Sequence, residues 1–324
     1  MRRSTCTALL SALATATALA VPAQAAAPTV ELQPDRLSRG ADIAVPHIED
    51  GVFVDGARRV ELPGTVAEVL GASLGGWMVA THRTNRVGEP RGNRVVHVPP
   101  SGTVRTVLRD IGQTTVVVSE DGSSLLGVTD PRGSRATVKV WSPVDGRLAG
   151  ERTFRGYPEI VAADGVKVLL RTTTRTFFWK FAKDNVRRPL TTRPTGMASI
   201  EHDLLATYTK DPYLGGCTKL VRLRHPKVTV WKSCTDRVAA ISPDGTELLT
   251  FPILTDGLGP GEIRLRELDG TKLATWTTNW FSGWEWESPG VVLLDVNGRR
   301  KSATARCALA RCENATDPEP VQAP

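Results

Sequence analysis

Four arginines, with one tryptophan, are the groups in this chain best suited to act together. Arg83 lies in Thr81-His82-Arg83-Thr84-Asn85-Arg86, Arg132 in Asp130-Pro131-Arg132-Gly133, and Arg171 and Arg175 bracket Thr172-Thr173-Thr174. Guanidinium groups hold carboxylates and phosphates through paired, charge-assisted hydrogen bonds. Gathered on one rim, they would hold an anionic cell-envelope polymer or an acidic protein surface. Trp280 sits in Asn279-Trp280-Phe281-Ser282-Gly283-Trp284-Glu285-Trp286, where four aromatics crowd into eight residues. An aromatic in a connecting segment would add a stacking surface for a ligand. The formal net charge of +7 points the same way.

Other chemistries find less support. Gly71-Ala72-Ser73-Leu74-Gly75 fits G-x-S-x-G, but a nucleophile elbow needs a helix after it. Here Gly76-Trp77-Met78-Val79-Ala80 follows and reads as a strand, so the match is a hairpin turn. Gly257, Gly259 and Gly261 form no phosphate cradle, because no helix pattern follows them. The five histidines are scattered, and neither H-E-x-x-H nor a calcium-loop spacing occurs. No catalytic residue, metal or cofactor is assigned.

The N-terminus reads as an export signal. Met1-Arg2-Arg3 is followed by an apolar run from Ala8 to Val21, then by the small-x-small site Ala23-Gln24-Ala25. The expected product is extracellular and monomeric, with no stable membrane insertion. Nucleic acid is not an expected partner for an exported chain without a recognition motif. Cys217, Cys234, Cys307 and Cys312 remain after the signal. Four cysteines allow three pairings. Local pattern favours Cys217–Cys234, equidistant from His225-Pro226, and Cys307–Cys312, which flank a tight turn.

The elements that must position these residues are strands. Val95-Val96-His97-Val98, Val138-Lys139-Val140-Trp141 and Ile263-Arg264-Leu265-Arg266 are short alternating runs, bounded elsewhere by Gly, Asp, Asn and Pro. Turns near Gly76, Gly122, Gly165, His202, Gly245 and Gly290 recur about every 43 residues, and a second series at Gly102, Gly146, Asn185, Lys227 and Gly270 interleaves with them. Two hairpins per unit give four strands per unit, which is the period of a β-propeller blade. The Asp-Gly pairs are read as turn formers, because both residues accept left-handed backbone angles. Tryptophans recurring at the period, Trp141 and Trp179, then Trp231 and Trp276, are expected between sheets.

Ile241-Ser242-Pro243-Asp244-Gly245-Thr246-Glu247-Leu248-Leu249-Thr250-Phe251 resembles the propeller repeat of TolB and its relatives, itself loosely similar to WD-repeats. Worn copies begin at Val118 and Val161. The resemblance implies a propeller and binding platforms, assembly proteins or non-catalytic domains of peptidases. The Ala- and Arg-rich leader gives an actinobacterial impression.

The sequence therefore predicts an all-β, seven-bladed propeller of four-stranded antiparallel blades, with six blades as the alternative. Its expected divisions are a signal peptide over 1–25, a flexible leader over 26–42, one propeller over 43–316 and a disordered tail over 317–324. Both chain ends are expected to complete one blade. The expected function is a secreted, non-catalytic interaction platform. A glycan-active hydrolase or lyase built in the funnel is the alternative, and paired carboxylates would favour it.

Overall fold

A computed structural model describes residues 26–112 and 114–321. The expected signal peptide lies outside the described residues. The strands form seven sheets, so the seven-bladed reading holds and the six-bladed alternative falls. The blades span 47–60, 66–109, 116–155, 159–186, 195–233, 236–277 and 280–314. Blades 2 to 5 are four-stranded and antiparallel, and each runs outward from its first strand. The first strands of blades 1 and 2, 2 and 3, 4 and 5, and 5 and 6 touch one another.

Turn chemistry sets the hairpins. Gly122, Gly165, Gly245 and Gly290 take positive φ, and at the fifth blade Asp203 does so at 58°. Asp244 accepts hydrogen bonds from Ser242 Oγ (2.6 Å) and from the Thr246 amide (3.2 Å) and hydroxyl (2.9 Å). The Ser242 hydroxyl bond, ahead of the others, holds the Asp244 carboxyl below its ordinary range. This is the work of a turn former. Ser73 is likewise structural: it is buried and its hydroxyl donates to the Gly122 carbonyl at 2.6 Å.

Blades adhere through apolar faces. Six buried clusters fill the interfaces between consecutive blades from 1/2 to 6/7. The periodic tryptophans contribute as expected. Trp179 and Trp276 are fully buried, and Trp141 and Trp231 pack in the 2/3 and 5/6 clusters. Both expected disulfides are present. The register that pairs Thr218 with Ser233 brings Cys217 to Cys234, with Cα atoms 4.1 Å apart. Cys307 and Cys312 are direct cross-strand partners. Closing the longer loop stabilises the fold by roughly 3 kcal/mol on the chain-entropy account.

The chain ends differ from expectation. The segment expected as a flexible leader instead supplies Thr29–Glu31, a parallel fifth strand on the outer edge of blade 6. Leu32 is completely buried in the 6/7 cluster, and that apolar anchor orders the segment. The expected disordered tail supplies Glu319–Pro320, paired with the third strand of blade 7. Among the described residues neither end completes blade 1, which has three strands, His47–Glu49, Val52–Asp55 and Arg58–Val60, and no strand is shared across the closure.

Candidate functional site

The register places each predicted rim residue at the strand ends opposite the Asp-Gly turns. Arg83 faces Arg91, Arg132 faces Arg135, Arg171 faces Thr176, and Trp280 faces Asn297. Blades 2, 3 and 4 are consecutive, so the four arginines occupy one arc of that face. Trp280 belongs to blade 7. It opens the strand Trp280–Ser288 rather than lying in a connection, and Phe281 beside it is fully buried core. Two of the arginines are engaged within the protein. Arg171 binds Glu159 and the Thr195 carbonyl, and the Arg175 guanidinium lies 4.9 Å from the centre of the Phe177 ring.

Two cavities offer more enclosed sites. The larger, about 1140 Å³, lies at the seam between blades 7 and 1. No buried apolar cluster among the described residues spans this seam. Polar contacts tie blade 7 to the segment that leads into blade 1 instead. The Ala44 amide donates to Glu287 at 2.9 Å, and Arg306 donates to Glu287 (2.7 Å), Glu313 (3.0 Å) and the carbonyls of Ala41 and Asp42 (both 2.8 Å). Arg306 holds the Glu287 carboxyl below its ordinary range. Glu285 behaves oppositely: desolvation inside the seam, then the nearby Asp295 carboxylate, raises it.

The second cavity, about 660 Å³, opens between blades 4 and 5 on the face that carries the Asp-Gly turns. That volume is typical of small-ligand sites. Its floor is Phe178, Leu190, Ile200 and Leu223, where the 4/5 cluster reaches the surface. Strand pairing sets Lys167 directly opposite Lys180. Lys180 and Phe178, two residues apart on one strand, share a face toward blade 5. Arg187 and Arg188 follow on the outer strand. Among the described residues, no hydrogen bond or ion pair engages the side chains of Lys167, Lys180, Arg187 or Arg188. Like charges directly opposite one another in a sheet are destabilising, so this arrangement has no structural reward of its own.

Several carboxylates around the same cavity are committed. Glu120 reaches from blade 3 to accept the amides of Ile200 (3.0 Å) and Glu201 (2.8 Å) and the Ser199 hydroxyl (3.1 Å). Asp121 accepts the Gly165 amide at 3.0 Å. These bonds tie the turns of blades 3, 4 and 5 together and hold the cavity's inner wall. Sequence reasoning missed this site. The opposed lysines were legible as charged strand ends, but which carboxylates were already spent was not.

No family model matches the sequence, and no curated protein matches it. The fold itself has many solved counterparts. The β-propeller domain of the Trilobed protease from Pyrococcus furiosus, described as having an open velcro topology, aligns with a TM-score of 0.57 at 11% identity, over 82% of this chain and 89% of that one. An uncharacterized protein of Listeria monocytogenes, lmo1340, aligns with a TM-score of 0.52 at 10% identity, over 89% and 85%. Hsv2 of Kluyveromyces marxianus aligns at 0.50 and 10%, over 70% and 71%. At such identities the likeness establishes the class, a seven-bladed β-propeller, and nothing of activity.

Proposed function

We propose that this chain is an exported binding module, a non-catalytic propeller that holds an anionic ligand, either a cell-envelope polymer or an acidic protein surface. The observation that carries the reading is the cleft between blades 4 and 5, where four cations stand unpaired beside an apolar floor. An anion there would relieve the repulsion between Lys167 and Lys180. The order of charge, apolar run and Ala-Gln-Ala at the N-terminus supports export, as do the two disulfides. No helix among the described residues is long and apolar enough to cross a membrane. The TolB-like repeat at 241–251 supports a platform role.

Binding to purified anionic cell-wall polymer is expected at low ionic strength and should weaken as salt screens it. The Arg187→Ala/Arg188→Ala variant should bind at least about tenfold more weakly, given what charge-assisted hydrogen bonds contribute. Arg83→Ala, on the opposite face, is the control. If Arg83→Ala loses binding and the double variant keeps it, the rim of Arg83, Arg132, Arg171, Arg175 and Trp280 is the site. If neither variant changes binding, the arginines are solubilising surface.

One observation favours the enzymatic alternative. Glu285, raised by desolvation and by Asp295, has the environment of a general acid. Release of reducing ends from cell-wall glycan by the wild type, abolished in Glu285→Gln, would establish that reading.

A further inference from the structure

Charge around the cleft between blades 4 and 5 is graded along the radius of the ring. The inner wall is built from the turns that follow the first strands, and it carries Glu120, Asp121, Asp164, Glu201 and Asp203. The outer wall is built from the second and third strands of blade 4 and the segment after its fourth strand, and it carries Lys167, Lys180, Arg187 and Arg188. Three of the inner acids are committed to the protein. Glu120 and Asp121 bind backbone amides across the blades, and Asp203 accepts the Arg224 amide at 2.7 Å. Asp164 and Glu201 have no side-chain partner among the described residues.

Unpaired groups of both signs thus face one cavity without meeting each other. Asp164 is the cross-strand partner of Lys167 at the hairpin end, yet the two form no ion pair, and Lys167 is in turn opposite Lys180. From the first strand to the third is two strand intervals, about 9–10 Å between backbones. Side chains reaching in from both walls shorten that gap, so one small molecule with a charge at each end can contact both. A simple anion would satisfy the outer wall and leave Asp164 and Glu201 facing added negative charge. A simple cation would do the reverse. The ligand that satisfies both walls is a zwitterion.

We propose that the cleft binds a small zwitterionic phosphoester, with its phosphate against Lys167, Lys180, Arg187 and Arg188 and its ammonium against Asp164 and Glu201. Any apolar substituent would rest on Phe178 and Leu190. The proposal depends on the anion-binding reading above and narrows it to one chemical class.

Calorimetric titration of the full exported chain tests it, with inorganic phosphate, ethanolamine and phosphoethanolamine as probes at low salt. Phosphoethanolamine should bind about tenfold more tightly than inorganic phosphate, the factor expected of one added ionic contact in a partly enclosed site. Asp164→Asn/Glu201→Gln should abolish that advantage while phosphate binding persists or strengthens. Asn suits the left-handed turn that Asp164 precedes, so the hairpin should survive. Lys167→Ala/Lys180→Ala should weaken both phosphate probes. If wild-type protein binds phosphate and phosphoethanolamine equally, the zwitterion proposal is overturned and the anion-binding reading stands. If it binds neither those probes nor anionic polymer, both fall. Should a variant fail to fold, the wild-type ratio decides alone.

Discussion

Asp236→Ala should lower the stability of the propeller by about 3–5 kcal/mol, the cost of breaking a buried ion pair from one side. Asp236 begins the first strand of blade 6 and is 1% exposed. It binds Arg264 and, at 3.3 Å, Arg266, and accepts the hydroxyls of Thr235 (2.7 Å) and Ser233 (2.9 Å). Both guanidinium groups are largely buried, so removing the carboxylate leaves Arg266 without an anionic partner among the described residues and Arg264 with Glu262 alone. Burial alone would raise the Asp236 carboxyl. The Thr235 and Arg264 hydrogen bonds, the charge of Arg266 and the Ser233 hydroxyl outweigh it, and the folded value is depressed. A depressed carboxyl contributes its full stability above the unfolded value of about 3.9 and loses it as pH falls through the folded value. Urea unfolding of wild type should therefore weaken on acidification below about pH 5. In Asp236→Asn that acid slope should flatten. A loss under about 1 kcal/mol at neutral pH, the range of an exposed pair, would show that the network is mere surface decoration.

Trp276→Ala should also cost about 3–5 kcal/mol, as large buried aromatics do when truncated. Trp276 is fully buried in the 6/7 cluster, and its indole N–H donates to the Leu309 carbonyl of the neighbouring blade at 2.9 Å. It also sits opposite Val30 of the N-terminal strand. The loss should therefore have a local signature besides the global one. Thr29–Glu31 should detach first, and limited trypsin digestion should cut at Arg36 faster than in wild type. Trp276→Phe should keep most of the stability. If Trp276→Ala unfolds easily but Arg36 stays protected, the N-terminal strand is held by its backbone ladder and not by this packing.

The polar seam gives these two effects a common context. Six interfaces of the ring are apolar, while the seventh is bridged by Arg306, Glu287 and the backbone near Ala44. With no shared closing strand among the described residues, damage at 6/7 isolates blade 7 between a weakened interface and a polar one. Interface losses there should therefore be felt more than equal losses at 3/4 or 4/5.

What the sequence determined by itself was everything local. Hairpin turns announce themselves because Gly, Asp and Asn accept their backbone angles most readily, so Gly122, Gly165 and Gly245 mark blades directly. Cys217 meets Cys234 because both lie at the open end of one hairpin, and Cys307 meets Cys312 because they flank the turn of another. Trp141, Trp179, Trp231 and Trp276 occupy the 2/3, 3/4, 5/6 and 6/7 interfaces, each of which takes a large aromatic. Tertiary structure decided what depends on residues far apart in the chain. Thr29–Glu31 carries no turn signal or long alternation, and only the apolar slot for Leu32 between blades 6 and 7 fixes its place. The seam is polar because Glu285 and Asp295 face His47 and Glu49 across a ring closure that no local pattern encodes. The cleft between blades 4 and 5 follows the same logic. Its four free cations can be called free only once Glu120 is seen spending its charge on backbone amides 80 and 81 residues away, and the stacking of blades 3, 4 and 5, not composition, brings those groups together.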